Sequence, residues 1–137
     1  MRYVYLFHVV VRSLLPLVIG SLIYIFYGTP GIRLVDWATH IGFIHSWRDS
    51  LSLSLPDWVV FNLTDGIWLF SLLQLIDIIW QDEKGGHIWL GFSVILAIGH
   101  ELGQQFNIFS GTFDWLDILA YVIVTIISIL INQSLKR

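Results

Sequence analysis

Cysteine is absent from these 137 residues. A disulfide framework and a thiolate metal site are therefore excluded. Charge is the next shortage. Only 12% of the residues are charged, against 56% apolar; an ordinary soluble domain carries roughly 25% charged residues. So few charges cannot clothe a sphere of this size in polar surface, and the simplest solvent for such a chain is lipid. The net charge of −3 is small and spread out, and no basic stretch points to nucleic acid. Neither G-x-x-x-x-G-K nor G-x-G-x-x-G occurs, which argues against a nucleotide enzyme. Ser110 has no G-x-S-x-G elbow.

What is present is a series of long apolar runs. A spanning helix needs about 20 mainly apolar residues. Four stretches qualify, at about 3–27, 58–80, 87–106 and 114–132. Backbone groups in lipid must be satisfied within the segment, so helices are expected rather than open strands. No stretch alternates with the period of a barrel strand. Trp58 and Trp115 mark one set of helix ends and Trp80 and Trp89 the other, as an interfacial aromatic belt would. Trp68 falls mid-span and reads as packing. Arg2 and Arg12 precede the apolar run Leu14–Tyr27, yet no small-x-small cleavage pattern follows, so the run reads as a retained helix and not a cleaved signal. Residues 31–47 read as one short interfacial helix, with a Ser-rich stretch after it. The expectation is an all-α, polytopic membrane bundle: a single transmembrane domain over 1–137, with about four spans and the interfacial segment.

Lys and Arg counts set the orientation. Arg2, Lys84, Lys136 and Arg137, with Arg12 nearby, share one side; Arg33 and Arg48 share the other. Both termini are expected in the cytoplasm.

On that topology, polar residues from separate stretches fall at one depth near the outer face. They are Asp36 and His40, then Asn62, Thr64 and Asp65, then His100, Glu101, Gln104 and Gln105, then Asp114 and Asp117. Asp36 and His40 are four apart, as are His100 and Gln104, so each pair shares a helix face. A carboxylate near the bilayer needs a partner, solvent or a proton. The pattern predicts a water-filled acidic cavity in which His40 and His100 pair with Glu101 or the aspartates. A plainer reading stands beside it. Asp114 and Asp117 can stabilise a helix N-terminus, and Gln and His can join neighbouring membrane helices. Gly99 and Gly103 have the spacing that admits a close helix neighbour, and Arg12 and Asp77 are placed to pair near the inner face.

Histidines and carboxylates can bind a divalent cation. Yet His100-Glu101-Leu102-Gly103-Gln104 lacks the second histidine of HExxH, so no metal and no cofactor are expected. For acid–base chemistry the candidates are Glu101, whose partial burial disfavours the charged form, with His100 or His40.

The run from His100 through Gln104, followed by Gly111-Thr112-Phe113-Asp114-Trp115-Leu116-Asp117-Ile118-Leu119-Ala120, resembles the VanZ-like family of small bacterial membrane proteins. That family typically shows Glu-x-x-Gln closing one span, then Arg, a gap, Asp, and Asp-hydrophobic-hydrophobic-Ala-Asn opening the next. An earlier Asp with a His four residues on is common in it. The resemblance implies Asp36, His40, Glu101, Gln104, Asp114 and Asp117 as ligand-binding residues. It departs where the family's Arg falls on Gly111 and its Asn on Tyr121, and where the glycines that usually follow are replaced by bulk such as Val124 and Ile127. The family's namesake is linked to low-level glycopeptide resistance. The resemblance therefore implies a place in the bacterial inner membrane and a lipid, glycolipid or antibiotic-related ligand. Rival expectations are an enzyme on lipid-linked substrates and an oligomeric channel or transport subunit, so a homo-oligomer is left open.

Overall fold

The computed structural model describes residues 2–31, 33–80 and 85–135. Every regular element among them is helical. The helices are α1 (Arg2–Val9), α2 (Leu15–Tyr27), α3 (Arg33–Thr39), α4 (Gly42–Ser50), α5 (Thr64–Ile79), α6 (Gly86–Gln105) and α7 (Trp115–Leu135). A π-helical turn, Val10–Leu14, welds α1 to α2, and a second, Val59–Leu63, leads into α5. Each turn has a local chemical reason. Pro16 stands just after the first and has no N–H to complete the ordinary ladder. In the second, the Thr64 hydroxyl donates to the Val59 carbonyl five residues back, at 3.3 Å.

Three helical stretches are long and apolar enough to cross a membrane: Tyr5–Tyr27, Val59–Ile79 and Trp115–Leu135. These are compatible with a membrane protein, and three of the four expected spans lie on them. The fourth, α6, has 20 residues but carries His87 near its start and His100, Glu101, Gln104 and Gln105 near its end. Three is thus the number that length and composition support.

Burial is inverted relative to a soluble domain. The buried side chains include Ser13, Asn62, Gln74, Asp77, Glu101, Asp117, Ser128 and Asn132, while Leu, Ile and Val side chains of α2, α6 and α7 line the outside. In water that surface would strip the bundle of its hydrophobic driving force; facing lipid, it is the expected arrangement. Leu69, Leu73 and Tyr121 form a small apolar centre, with Leu90, Val94, Ala97, Ile98 and Val124 packed on it. α5 is the central helix, in contact with α2, α6 and α7.

The close helix approach falls at a glycine other than those the sequence suggested. A Cβ at Gly66 would sit 3.3 Å from Ala120 Cβ and Val124 Cγ1, so Gly66 lets α5 meet α7. Gly99 faces open space, and Gly103 is covered by the Phe109 ring from the following loop. Among the described residues, the Gly99–Gly103 spacing therefore serves no helix–helix contact. Trp58 and Trp115 are exposed at helix ends, Trp80 and Trp89 pack with ring centroids 6.1 Å apart, and Trp68 packs on Tyr24 at 5.3 Å.

The segment expected as one interfacial helix is two. Near the end of α3, His40 Nδ1–H donates to the Asp36 carbonyl at 2.6 Å, and the Thr39 hydroxyl donates to the same oxygen at 2.9 Å. Those side chains compete with the next helical turn for that carbonyl, and Ile41 is extended. The Ser-rich stretch begins inside α4, because Ser46 and Ser50 donate to the carbonyls of Gly42 and Trp47. Arg48 fixes α4 to the end of α2 by donating to the carbonyls of Ile25 (2.5 Å) and Gly28 (2.6 Å). Of the residues that set the orientation count, Lys84, Lys136 and Arg137 lie outside the described residues.

Candidate functional site

Two polar layers sit at opposite ends of the bundle, and each is fed by one π turn. The turn Val59–Leu63 carries Asn62. Its side-chain amide donates to Asp114 Oδ2 at 2.9 Å and Asp117 Oδ1 at 2.8 Å, tying the start of α5 to the start of α7. Asp114 serves two functions with two oxygens. Its Oδ1 accepts the Leu116 backbone N–H at 2.9 Å, which caps α7. The plain helix-end reading and the site reading both hold for this residue.

Beside that layer lies a cavity of about 510 Å³, lined by Asp65, Trp68, Leu69, Leu72, Ser93, Leu96, Ala97, His100, Glu101, Gln104 and Tyr121. Its polar groups gather at the C-terminal end of α6. The rest of its lining is largely apolar, Leu69, Leu72, Leu96 and Ala97, of which Leu72 and Leu96 are exposed. Glu101 is 4% exposed. Its Oε1 stands 3.7 Å from His100 Nδ1, and its buried Oε2 has no hydrogen-bond partner. Such an oxygen in a low-dielectric setting requires a proton, a water or a donor from elsewhere. Asp65 accepts no hydrogen bond among the described residues and lies within Coulombic reach of Asp117 and Glu101. The Tyr121 phenol sits in the field of all three carboxylates. No Lys or Arg among the described residues forms an ion pair with Asp65, Glu101, Asp114 or Asp117.

His100 is half exposed and stacks on Phe109, centroids 5.2 Å apart. The Gln104 amide donates to His100 Nδ1 at 3.3 Å. That bond requires Nδ1 to be unprotonated, whereas donation to Glu101 requires a proton on the same atom. The two contacts are alternatives. Gln104 also fills the position beside Gly111, whose φ is 141°; a Cβ there would lie 2.7 Å from the Gln104 amide. Gly111 is therefore a backbone position that favours glycine, packed by a neighbouring side chain.

The expected residues divide cleanly. Glu101, Gln104 and His100 share the cavity, and Asp114 and Asp117 form the adjoining layer. Asp36 and His40 do not join them. Asp36 lines a separate hollow with Arg48 and Asp49, and its Oδ1 accepts the Gly31 N–H. His40 lies outside the cavity, and α3 packs on α2 and α4. Asp65 and Asn62 are the additions. Their three-residue spacing on one helix face was the available signal. No group of three His, Asp or Glu among the described residues is arranged to hold a metal ion.

The opposite layer is a connected network. The turn Val10–Leu14 carries Arg12, whose Nε donates to Gln74 Oε1 at 2.7 Å, and whose Nη2 donates to Asp77 Oδ2 at 2.9 Å and Asn132 Oδ1 at 2.7 Å. Gln74 in turn donates to Ser128 and Asn132. The Arg12–Asp77 pair read from the sequence is present, inside a larger network. Compared with known protein families, characterised proteins and solved structures, the chain matches none.

Proposed function

We propose that this chain is a four-span bacterial inner-membrane protein whose acidic cavity opens outward and binds an amphiphilic envelope ligand: a lipid, a glycolipid or an antibiotic-related molecule. One observation carries the reading. A nearly fully buried carboxylate, Glu101, presents an oxygen without a donor in a cavity whose other wall is apolar. A polar head against Glu101 and an apolar chain against Leu72, Leu96 and Ala97 would satisfy both.

A fourth crossing by α6 is supported by its outer face, where Ile88, Trp89, Phe92 and Ile95 are exposed side by side along the helix. The polar residues at its end face the cavity, where intramembrane ionisable groups belong. Cytoplasmic termini follow from the Lys and Arg balance, and the envelope setting follows from the VanZ-like resemblance, of which Glu101, Gln104, Asp114 and Asp117 lie together at one end of the bundle.

The enzyme reading draws on the approach of Glu101 Oε1 to His100 Nδ1, at 3.7 Å. A channel reading is less favoured, because Arg12 and its partners fill the far end of the same helices. Native mass spectrometry of the protein released from lipid nanodiscs, wild type beside Glu101→Gln, tests the proposal. Retention of a defined amphiphile by the wild type and its loss in the variant is the expected result. A wild type that retains none opposes it.

A further inference from the structure

We infer that the ligand of this cavity carries a primary ammonium head on an apolar chain, the ammonium seated between Glu101 and Asp65. The inference rests on the binding reading above and specifies its ligand.

The choice of head comes from what is already satisfied. Asn62 supplies donors to Asp114 and Asp117, and the Leu116 N–H supplies another to Asp114. Glu101 receives the Asp114 backbone N–H and approaches His100, yet one of its oxygens is left over. Glu101 Oε2 is buried without a donor, and Asp65 accepts no hydrogen bond among the described residues. Both line the same cavity. A neutral hydroxyl would meet the hydrogen-bond requirement but leave the mutual repulsion of these carboxylates standing. A quaternary ammonium would offset the charge but has no N–H to give. A primary ammonium does both, with three donors on one cation. The nearest analogue inside the chain is the other polar layer, where Arg12 gives one cation to an acidic group and two amides. The acidic cavity has the acceptors of such a layer and, among the described residues, neither Lys nor Arg, His100 being the one side chain in its lining that can take up positive charge.

The chain attached to that head is set by the wall. Beyond Glu101 the lining becomes Leu69, Leu72, Leu96 and Ala97, with Ser93 the only small polar group. A small hydrated cation would leave this part of the cavity unfilled, whereas an alkyl or acyl chain covers it.

The test compares heads on one tail. Protein is placed in nanodiscs of phosphatidylglycerol alone, and dodecylamine or dodecanol is added; parallel nanodiscs contain phosphatidylethanolamine or phosphatidylcholine in place of the added amphiphile. Retained molecules are counted by native mass spectrometry. The wild type is expected to retain an amine-headed molecule over its matched alcohol or choline counterpart by about tenfold, the equivalent of ~1.4 kcal/mol. Retention of phosphatidylethanolamine identifies a bilayer lipid as the source; retention of dodecylamine alone identifies a free amphiphile. The preference should fall in Glu101→Gln and vanish in the Glu101→Gln/Asp65→Asn double variant. Ala97→Phe, which fills the apolar end and leaves both carboxylates in place, should lose every head equally. Equal retention of amine and alcohol by the wild type overturns the ammonium assignment while keeping the cavity reading. Retention of no amphiphile overturns both. Unchanged retention in Ala97→Phe puts the ligand outside this cavity and overturns the assignment. Because the head comparison uses wild-type protein, it still decides the assignment if a variant fails to fold.

Discussion

Asn62 gives one side-chain nitrogen to two carboxylates, Asp114 at 2.9 Å and Asp117 at 2.8 Å. The two acids lie on one face at the start of α7, and this amide is what allows them to share it. Asn62→Ala removes both bonds at a buried position. Hydrogen bonds to charged groups contribute roughly 1.5–3 kcal/mol each, so a loss of about 3–6 kcal/mol is expected for the two. Asn62→Asp removes the donor and adds a third acid, and should destabilise more than alanine. Reversible unfolding in mixed micelles measures both. A smaller loss for aspartate than for alanine would show that the carboxylates do not depend on this donor.

Arg12 is the counterpart at the other end. Its three bonds use Nε once and Nη2 twice, reaching Gln74, Asp77 and Asn132 on two helices. Lysine keeps the charge but has no fork with which to span these acceptors. Arg12→Lys is expected to cost about 1–3 kcal/mol, with buried amide acceptors left short of donors. Arg12→Met should cost more, since it removes the guanidinium beside Asp77 together with all three donated bonds. The ordering is checked by the same unfolding measurement. Lysine behaving like wild type would show that charge alone organises the layer.

The legible part of this molecule was its partition between lipid-like and polar surface. The long helices were readable because apolar runs of spanning length have few other solutions. The pairing of Arg12 with Asp77, and the gathering of Glu101, Gln104, Asp114 and Asp117, came from depth alone. The π turns were not readable. Each widens the helix and changes which side chains face inward, so a 3.6-residue period carried through Val10–Leu14 or Val59–Leu63 misplaces the side chains beyond the turn. Arg12 and Asn62 lie within these turns and Gln74 and Asp65 beyond one, so their partners are not legible from an α-helical period; Ser128 and Asn132 lie on the unbroken α7, and their link to this layer depends on how α7 packs against α5. Asp36 and His40 misled for a different reason. Their spacing does place them on one face of α3, but the His40 ring turns back to its own helix carbonyl.

Glycine contacts separate packing from spacing. Gly66 brings α5 onto Ala120 and Val124, whereas Gly99 meets nothing within 4 Å. Gly66→Val must push the helices apart and is expected to destabilise by about 1–3 kcal/mol. Gly99→Ala should be neutral or stabilising by up to about 1 kcal/mol, from helix propensity. Thermal unfolding monitored by circular dichroism distinguishes them. A Gly99→Ala loss as large as that of Gly66→Val would mean that α6 has a close neighbour at Gly99 supplied by another chain.

The absence of cysteine makes the fourth crossing directly testable. Single cysteines can be introduced at Ser46 in α4, at Ser110 between α6 and α7, and at His87 near the start of α6, all of them exposed. If α6 crosses the membrane, a membrane-impermeant maleimide added to intact cells should label Ser46→Cys and Ser110→Cys, while His87→Cys should label only after the membrane is opened. The reasoning is geometric: α6 is 20 residues long, and at 1.5 Å per residue this is about the thickness of the hydrocarbon layer. If α6 lies along one surface, its two ends share a side, and His87→Cys and Ser110→Cys should label together. That outcome would leave Glu101 at the membrane surface and remove the reason for a buried, ligand-seeking carboxylate. Labelling of Ser110→Cys from outside with protection of His87→Cys would place the acidic cavity where an envelope amphiphile can enter it.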